Sequence, residues 1–114
     1  MKAETFKDIR FIPANISALE EEITETRRLF GDDQLADQLR EEIRRLTKKE
    51  IMLREALEAV RREDPEIYSI IDLHYLKGYT WEQATMKMYG YHCPSYCRKK
   101  TERFFSGKEL ADFL

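Results

Sequence analysis

The sequence predicts an all-α chain, and three observations carry that expectation. Gly and Pro are scarce, four and three among 114 residues, so helices run long between few breaks. Apolar residues recur every seven positions through residues 34–62, as in a coiled-coil seam. The last third is punctuated by helix start and stop signals: Asp-Pro, Thr-x-x-Gln, and a Gly after each apolar run.

The elements follow in order. Phe6, Ile9, Phe11 and Ile12 mark residues 1–13 as a short helix or an irregular lead-in that docks on the coil. Pro13 is expected to end it, because the residue before a proline is pushed out of helical geometry. Asn15 or Ser17 caps the next helix, and Ser17 with Glu20 has capping-box spacing. Ile16, Leu19, Ile23, Thr26 and Phe30 then make one apolar seam. Gly31-Asp32-Asp33 stops this helix and caps the next. The longest helix, about 34–62, carries Ala36, Ile43, Glu50 and Leu57 in one heptad row and Leu39, Leu46, Leu53 and Val60 in the other. So short a connection favours an antiparallel pair. Since the second helix outlasts the first, residues 1–12, the C-terminal part or another copy must cover its second half. Glu50 is the polar member of the seam, either a register mark or a position past the partner's end.

Asp64 caps and Pro65 starts the following helix, with Ile67, Ile70, Ile71 and His74 on one face, closed by Lys77 and Gly78. Thr80 and Gln83 give a second capping box, and Trp81, Ala84 (or Thr85) and Met88 form the buried side of a short helix ended by Gly90. Pro94 starts the last helix, capped by Cys93 or His92. Cys97, Thr101 and Phe104 face inward, and Arg98, Lys99, Glu102 and Arg103 lie around the rest. Leu110, Phe113 and Leu114 form a tail that folds back. The division is residues 1–63, a helical hairpin for interaction, and residues 64–114, a helix-turn-helix unit with the tail.

The net charge of −2 conceals an asymmetry: residues 87–108 hold six basic side chains (Lys87, Arg98, Lys99, Lys100, Arg103, Lys108) against one acid, Glu102. Polyanions are recognised by local field, so this stripe suits nucleic acid. The blander reading of any charge run is a solvated helix face. No apolar run reaches bilayer length, and two cysteines without a secretory signal point to a reducing, cytoplasmic setting. His92, Cys93 and Cys97, with His74, lack the spacing of a closed zinc site, and no metal or cofactor is expected. His74 reads as a core-edge residue, and Trp81 as a core anchor at the start of its helix rather than a base-stacking platform. Of Tyr89, Tyr91 and Tyr96, Tyr91 is expected in the core and Tyr96 near phosphate. No phosphate loop, nucleophile triad or carboxylate pair suggests an enzyme.

The run from Asp64 to Phe105 resembles region 4 of sigma-70-type factors. The words are Tyr75-Leu76-Lys77-Gly78, Tyr79-Thr80-Trp81-Glu82-Gln83, Gly90-Tyr91 and Pro94 to Phe104. Arg10-Phe11-Ile12, then Ile16, then an acidic helical pair, is similar to what precedes this unit in small region-4-like transcriptional regulators of phages and prophages of Gram-positive bacteria. The chain departs from that pattern at Ala84, where a larger aliphatic is usual, and in a longer turn before Pro94. The resemblance implies a regulator that binds double-stranded DNA, acts with RNA polymerase and places residues 94–105 in the major groove. By position, Arg98, Lys99 and Glu102 would face bases or phosphates, and Ser95, Lys100 and Arg103 mostly phosphates. A homodimer through the hairpin would add affinity. The alternative is a phage assembly or DNA-packaging subunit, or a polymerase-binding module, without sequence-specific DNA binding.

Overall fold

A computed structural model describes residues 1–31 and 33–114, and among them every regular element is helical. A 3₁₀ turn (Ala3–Lys7) leads into α1 (Asp8–Phe30), followed by α2 (Asp33–Glu63) and α3 (Pro65–Ile71). α3 runs on as a π-helical turn (Asp72–Leu76), and then come α4 (Trp81–Tyr89), α5 (Pro94–Phe105) and a closing 3₁₀ turn (Leu110–Phe113). The molecule is elongated, 57 × 28 × 18 Å.

α1 lies along α2, while α3 and the C-terminal 3₁₀ turn pack on α2 as well. Gly31 ends α1 in the left-handed region (φ 62°), its N–H donating to the Arg27 carbonyl at 3.1 Å. That conformation is open to Gly without a Cβ penalty. The capping role given to Asp32 lies outside the described residues; Asp33 opens α2. Both heptad rows face inward: Ala36, Leu46, Leu53, Leu57 and Val60 are buried, and Ile43 and Leu39 partly so. Glu50 turns along its own helix to Arg54, Nε to Oε1 2.9 Å.

The core sits where the second half of α2 meets the rest of the chain. Phe6, Ile9 and Ile12 pack there with Leu53, Val60, Ile67, Ile70, Ile71, Phe105 and Phe113. Thus residues 1–12 cover the far half of α2, jointly with α3 and the tail. This arrangement corrects the expectation at Pro13. α1 continues through it, with neither Asn15 nor Ser17 at a helix start, so the Ser17–Glu20 box does not form. A proline inside a helix forfeits one backbone hydrogen bond. Here Ile9 and Ile12 before it and Ile16 and Leu19 after it contribute to one continuous cluster, and that burial outweighs the lost bond. The α1 seam ends at Thr26; Phe30 is 76% exposed at the far end of α1.

At α3 the sequence signals act as expected. Asp64 accepts from the N–H groups of Glu66 (3.1 Å) and Ile67 (3.2 Å), and Pro65 takes the first helical position. The widened end of this helix was not foreseen: Lys77 N–H reaches back to the Asp72 carbonyl (2.9 Å), five residues earlier. Phe113 is buried and Leu110 half-buried on the core, whereas Leu114 is exposed.

Candidate functional site

The chemistry-bearing residues converge on α4, α5 and the elements that hold them. α4 begins at a full capping box. Gln83 N–H donates to Thr80 Oγ1 (3.0 Å), and Thr80 N–H donates to Gln83 Oε1 (2.9 Å). It ends at Gly90 (φ 77°). Pro94 pre-sets the first turn of α5. Cys93 occupies the N-cap position, its Sγ 3.6 Å from Ser95 Oγ, so the expected choice between Cys93 and His92 falls to Cys93. Its thiol is held below the usual range, chiefly by the Ser95 hydroxyl, with help from backbone N–H groups of the first turn and from Lys99.

One hydroxyl ties α4 to α5. Thr85 is fully buried, and its Oγ1 lies 2.8 Å from the Trp81 carbonyl, 3.0 Å from the Cys93 carbonyl and 3.1 Å from Cys97 Sγ. A buried polar group with three partners on both helices resists sliding, because each lost contact strands a desolvated atom. Ala84 is also fully buried.

α5 presents two unlike sides. Cys97, Thr101 and Phe105 are buried. The inward aromatic is therefore Phe105, not the expected Phe104, which is half-buried and lies 4.9 Å from it, centroid to centroid. By helical spacing Lys99 stands opposite this buried stripe, flanked by Ser95, Glu102 and Arg103. Arg98, Lys99, Glu102 and Arg103 are exposed. Ser95, Tyr96, Lys99, Lys100 and Arg103 line one shallow concavity of about 380 Å³. Arg98 and Glu102 open instead onto a cleft shared with the N-terminal turn. The sequence-derived set is thus divided between two adjoining sides of one helix.

Lys100 differs from its neighbours. Its Nζ lies 2.6 Å from Glu66 Oε1 on α3, and the Tyr89 hydroxyl donates to the same carboxylate. The Lys100 ammonium, then the Tyr89 hydroxyl, hold the Glu66 carboxyl below the ordinary range, and Glu66 in turn raises Lys100. Burial and that carboxylate push the Tyr89 hydroxyl well above the usual tyrosine value. This clasp joins α3, α4 and α5, and sequence reasoning missed it. It also corrects the tyrosine assignment. Tyr89 is the half-buried ring, while Tyr91 is 43% exposed and leans on Tyr89 and Tyr96 from outside.

The two histidines have separate roles. His74 stacks on Trp81 (3.6 Å between centroids, 19° between planes) and donates from Nδ1 to the Tyr79 carbonyl at 2.6 Å. Burial lowers its pKa. His92 Nδ1 lies 3.0 Å from Glu82 Oε1 on the surface.

Several cations elsewhere are paired along their own helix. On α2, Arg40, Arg44, Arg45, Arg54 and Arg61 each contact an acid three or four residues earlier on the same helix. Among the described residues no ion pair involves Arg98, Lys99 or Arg103. No family model, curated protein or solved structure matches the chain.

Proposed function

We propose that the protein is a DNA-binding transcriptional regulator. In this reading α4 and α5 act as a helix-turn-helix on α3, and α1 and α2 form an antiparallel hairpin. α5 enters the major groove, and α4 rests on the backbone. The observation that carries the reading is the outward side of α5, where Arg98, Lys99 and Arg103 are exposed without an acidic partner among the described residues. Five of the six arginines of α2, all but Arg62, show what a merely solvated helix looks like in this same chain: each is matched to its own Asp or Glu. A stripe of unmatched, exposed cations on a firmly braced helix attracts a polyanion. Arg98 is the residue suited to take guanine bidentately; Lys99 and Arg103 suit phosphate; Glu102 accepts from cytosine or filters against other bases.

One such head binds weakly, so a second contact supplies affinity. The hairpin end, where Leu29 is 56% and Phe30 76% exposed, is the arm by which the protein engages RNA polymerase.

Selection of duplexes from a random pool tests the reading. The chain should enrich a defined site, with affinity falling steeply as salt rises, and Arg98→Ala should relax the preference. Recovery of unenriched sequence, or a preference unchanged in Arg98→Ala, would overturn the placement of α5. Ring-sized oligomers without site preference would instead favour an assembly module.

A further inference from the structure

The Arg10-Phe11-Ile12 segment has no part in the helix-turn-helix, yet the fold brings its charge to the head of α4. Lys7, Arg10, Gly78, Thr80 and Trp81 line a cleft of about 460 Å³, with Glu4 on its rim. Arg10 reaches across the Gly78 backbone: a Cβ on Gly78 would lie 2.5 Å from Arg10 Nη1. Gly78 has φ 79°, so its missing side chain serves both the turn and the close approach of the guanidinium. A second cleft, of about 450 Å³, adjoins the first through Glu4 and Trp81 and leads past Lys2 to Arg98 and Glu102 on α5.

Two further facts argue that Lys7 and Arg10 are not ordinary surface cations. Lys7 closes the 3₁₀ turn and Arg10 lies in the first turn of the α1 helix that continues it, so the two share one helical run beside the cleft. Both are exposed, and among the described residues neither pairs with an acid; their contact is the half-exposed Phe11 ring, 6.0 Å from Lys7 Nζ and 5.4 Å from Arg10 Cζ.

Resting on the regulator reading above, we infer that Lys7 and Arg10 form a second phosphate-contact site at the head of α4, extending the DNA footprint from α5 onto the N-terminal segment. With α5 in the groove, the backbone strand beside it passes the N-terminal end of α4. Trp81, which begins α4, borders both clefts, so the path from Arg98 to Arg10 is continuous. The ligand is DNA phosphate, read without sequence preference. Glu4 on the rim opposes it and limits the gain.

The test is the slope of log affinity against log salt, for the full chain on one duplex. Each phosphate contact adds about 0.9 to that slope, so Lys7→Gln with Arg10→Gln should lower it by about 1.8. Arg10→Lys, which keeps the charge, should leave the slope at the parent value, and Glu4→Gln should tighten binding. Because these side chains are exposed, melting temperature should hold across the set. The inference is overturned if the double variant keeps the parent slope while Lys99→Ala lowers it; the regulator reading then survives. Failure of the unaltered chain to bind any duplex overturns both.

Discussion

Phe6→Ala should unfold this protein more readily than its position near the chain start would suggest. The ring is fully buried, 5.8 Å from that of Phe105, in a cluster that also holds Ile9, Ile12, Val60 and Ile67. A buried Phe removes about 150–250 Å² from water. At about 25 cal/mol per Å² that corresponds to about 4–6 kcal/mol, an upper figure because the unfolded chain already hides some of it. Truncations of this kind measure about 3–5 kcal/mol, cavity included. Domains of this size have only about 5–15 kcal/mol in total, so the loss is about a fifth or more. Urea denaturation reads it directly: with a slope of about 2 kcal/mol per molar, the midpoint should fall by about 2 M, the slope itself unchanged. Phe11→Ala is the control, since that ring is 43% exposed, and it should cost under about 1 kcal/mol. Equal costs for the two variants would refute the reasoning. The N-terminal turn would then not be part of the core, and the position of Lys7 and Arg10 would lose its support.

Other consequences are smaller. Asp64→Ala removes the cap of α3 and should cost about 1 kcal/mol, measured by the same titration. His74 has a folded pKa below its unfolded one because burial favours the neutral ring, so its contribution is full above about pH 6.5 and lost as pH falls through the folded value. His74→Gln should flatten the stability profile in that window. Glu66 is likewise depressed, by Lys100 and Tyr89, so its contribution is present above the ordinary carboxylate pKa and lost as acid protonates the folded clasp. Glu66→Gln should remove that part of the acid sensitivity. On DNA, Lys99→Ala should reduce the salt slope by about 0.9, and Lys100→Met by clearly less, because Glu66 already engages that ammonium.

What the sequence disclosed was the local grammar. Asp64-Pro65, the Thr80–Gln83 box and the glycines at 31, 78 and 90 each act within a few residues of backbone, and helix boundaries followed from them. The heptad rows named the inner side of α2 because burial there repeats with the helix turn. What stayed hidden needs three dimensions. Pro13 looked like a stop because its local cost is evident, whereas the burial of Ile9 and Ile12 that outweighs it depends on α2 and α5. Tyr89 and Tyr91 are indistinguishable until Glu66 arrives from α3. Phe104 and Phe105 differ by one helical step, less than the uncertainty in how α5 is rotated on its neighbours. The cations of α5 were all visible as a run. Which of them is committed to Glu66 was not, since the partners stand 34 positions apart. Arg10 over Gly78 is of the same kind, a contact between two motifs that the sequence shows only separately.

Backbone amide chemical shifts of the labelled full chain, followed as a cognate or arbitrary duplex is titrated in, decide whether α5 is the helix that meets DNA. The largest changes should fall at Ser95, Arg98, Lys99, Glu102 and Arg103, with a second group at Lys7, Arg10 and Thr80, while residues 20–50 stay still. Changes centred on α1 and α2 with α5 silent, or none at all at low salt, would contradict it.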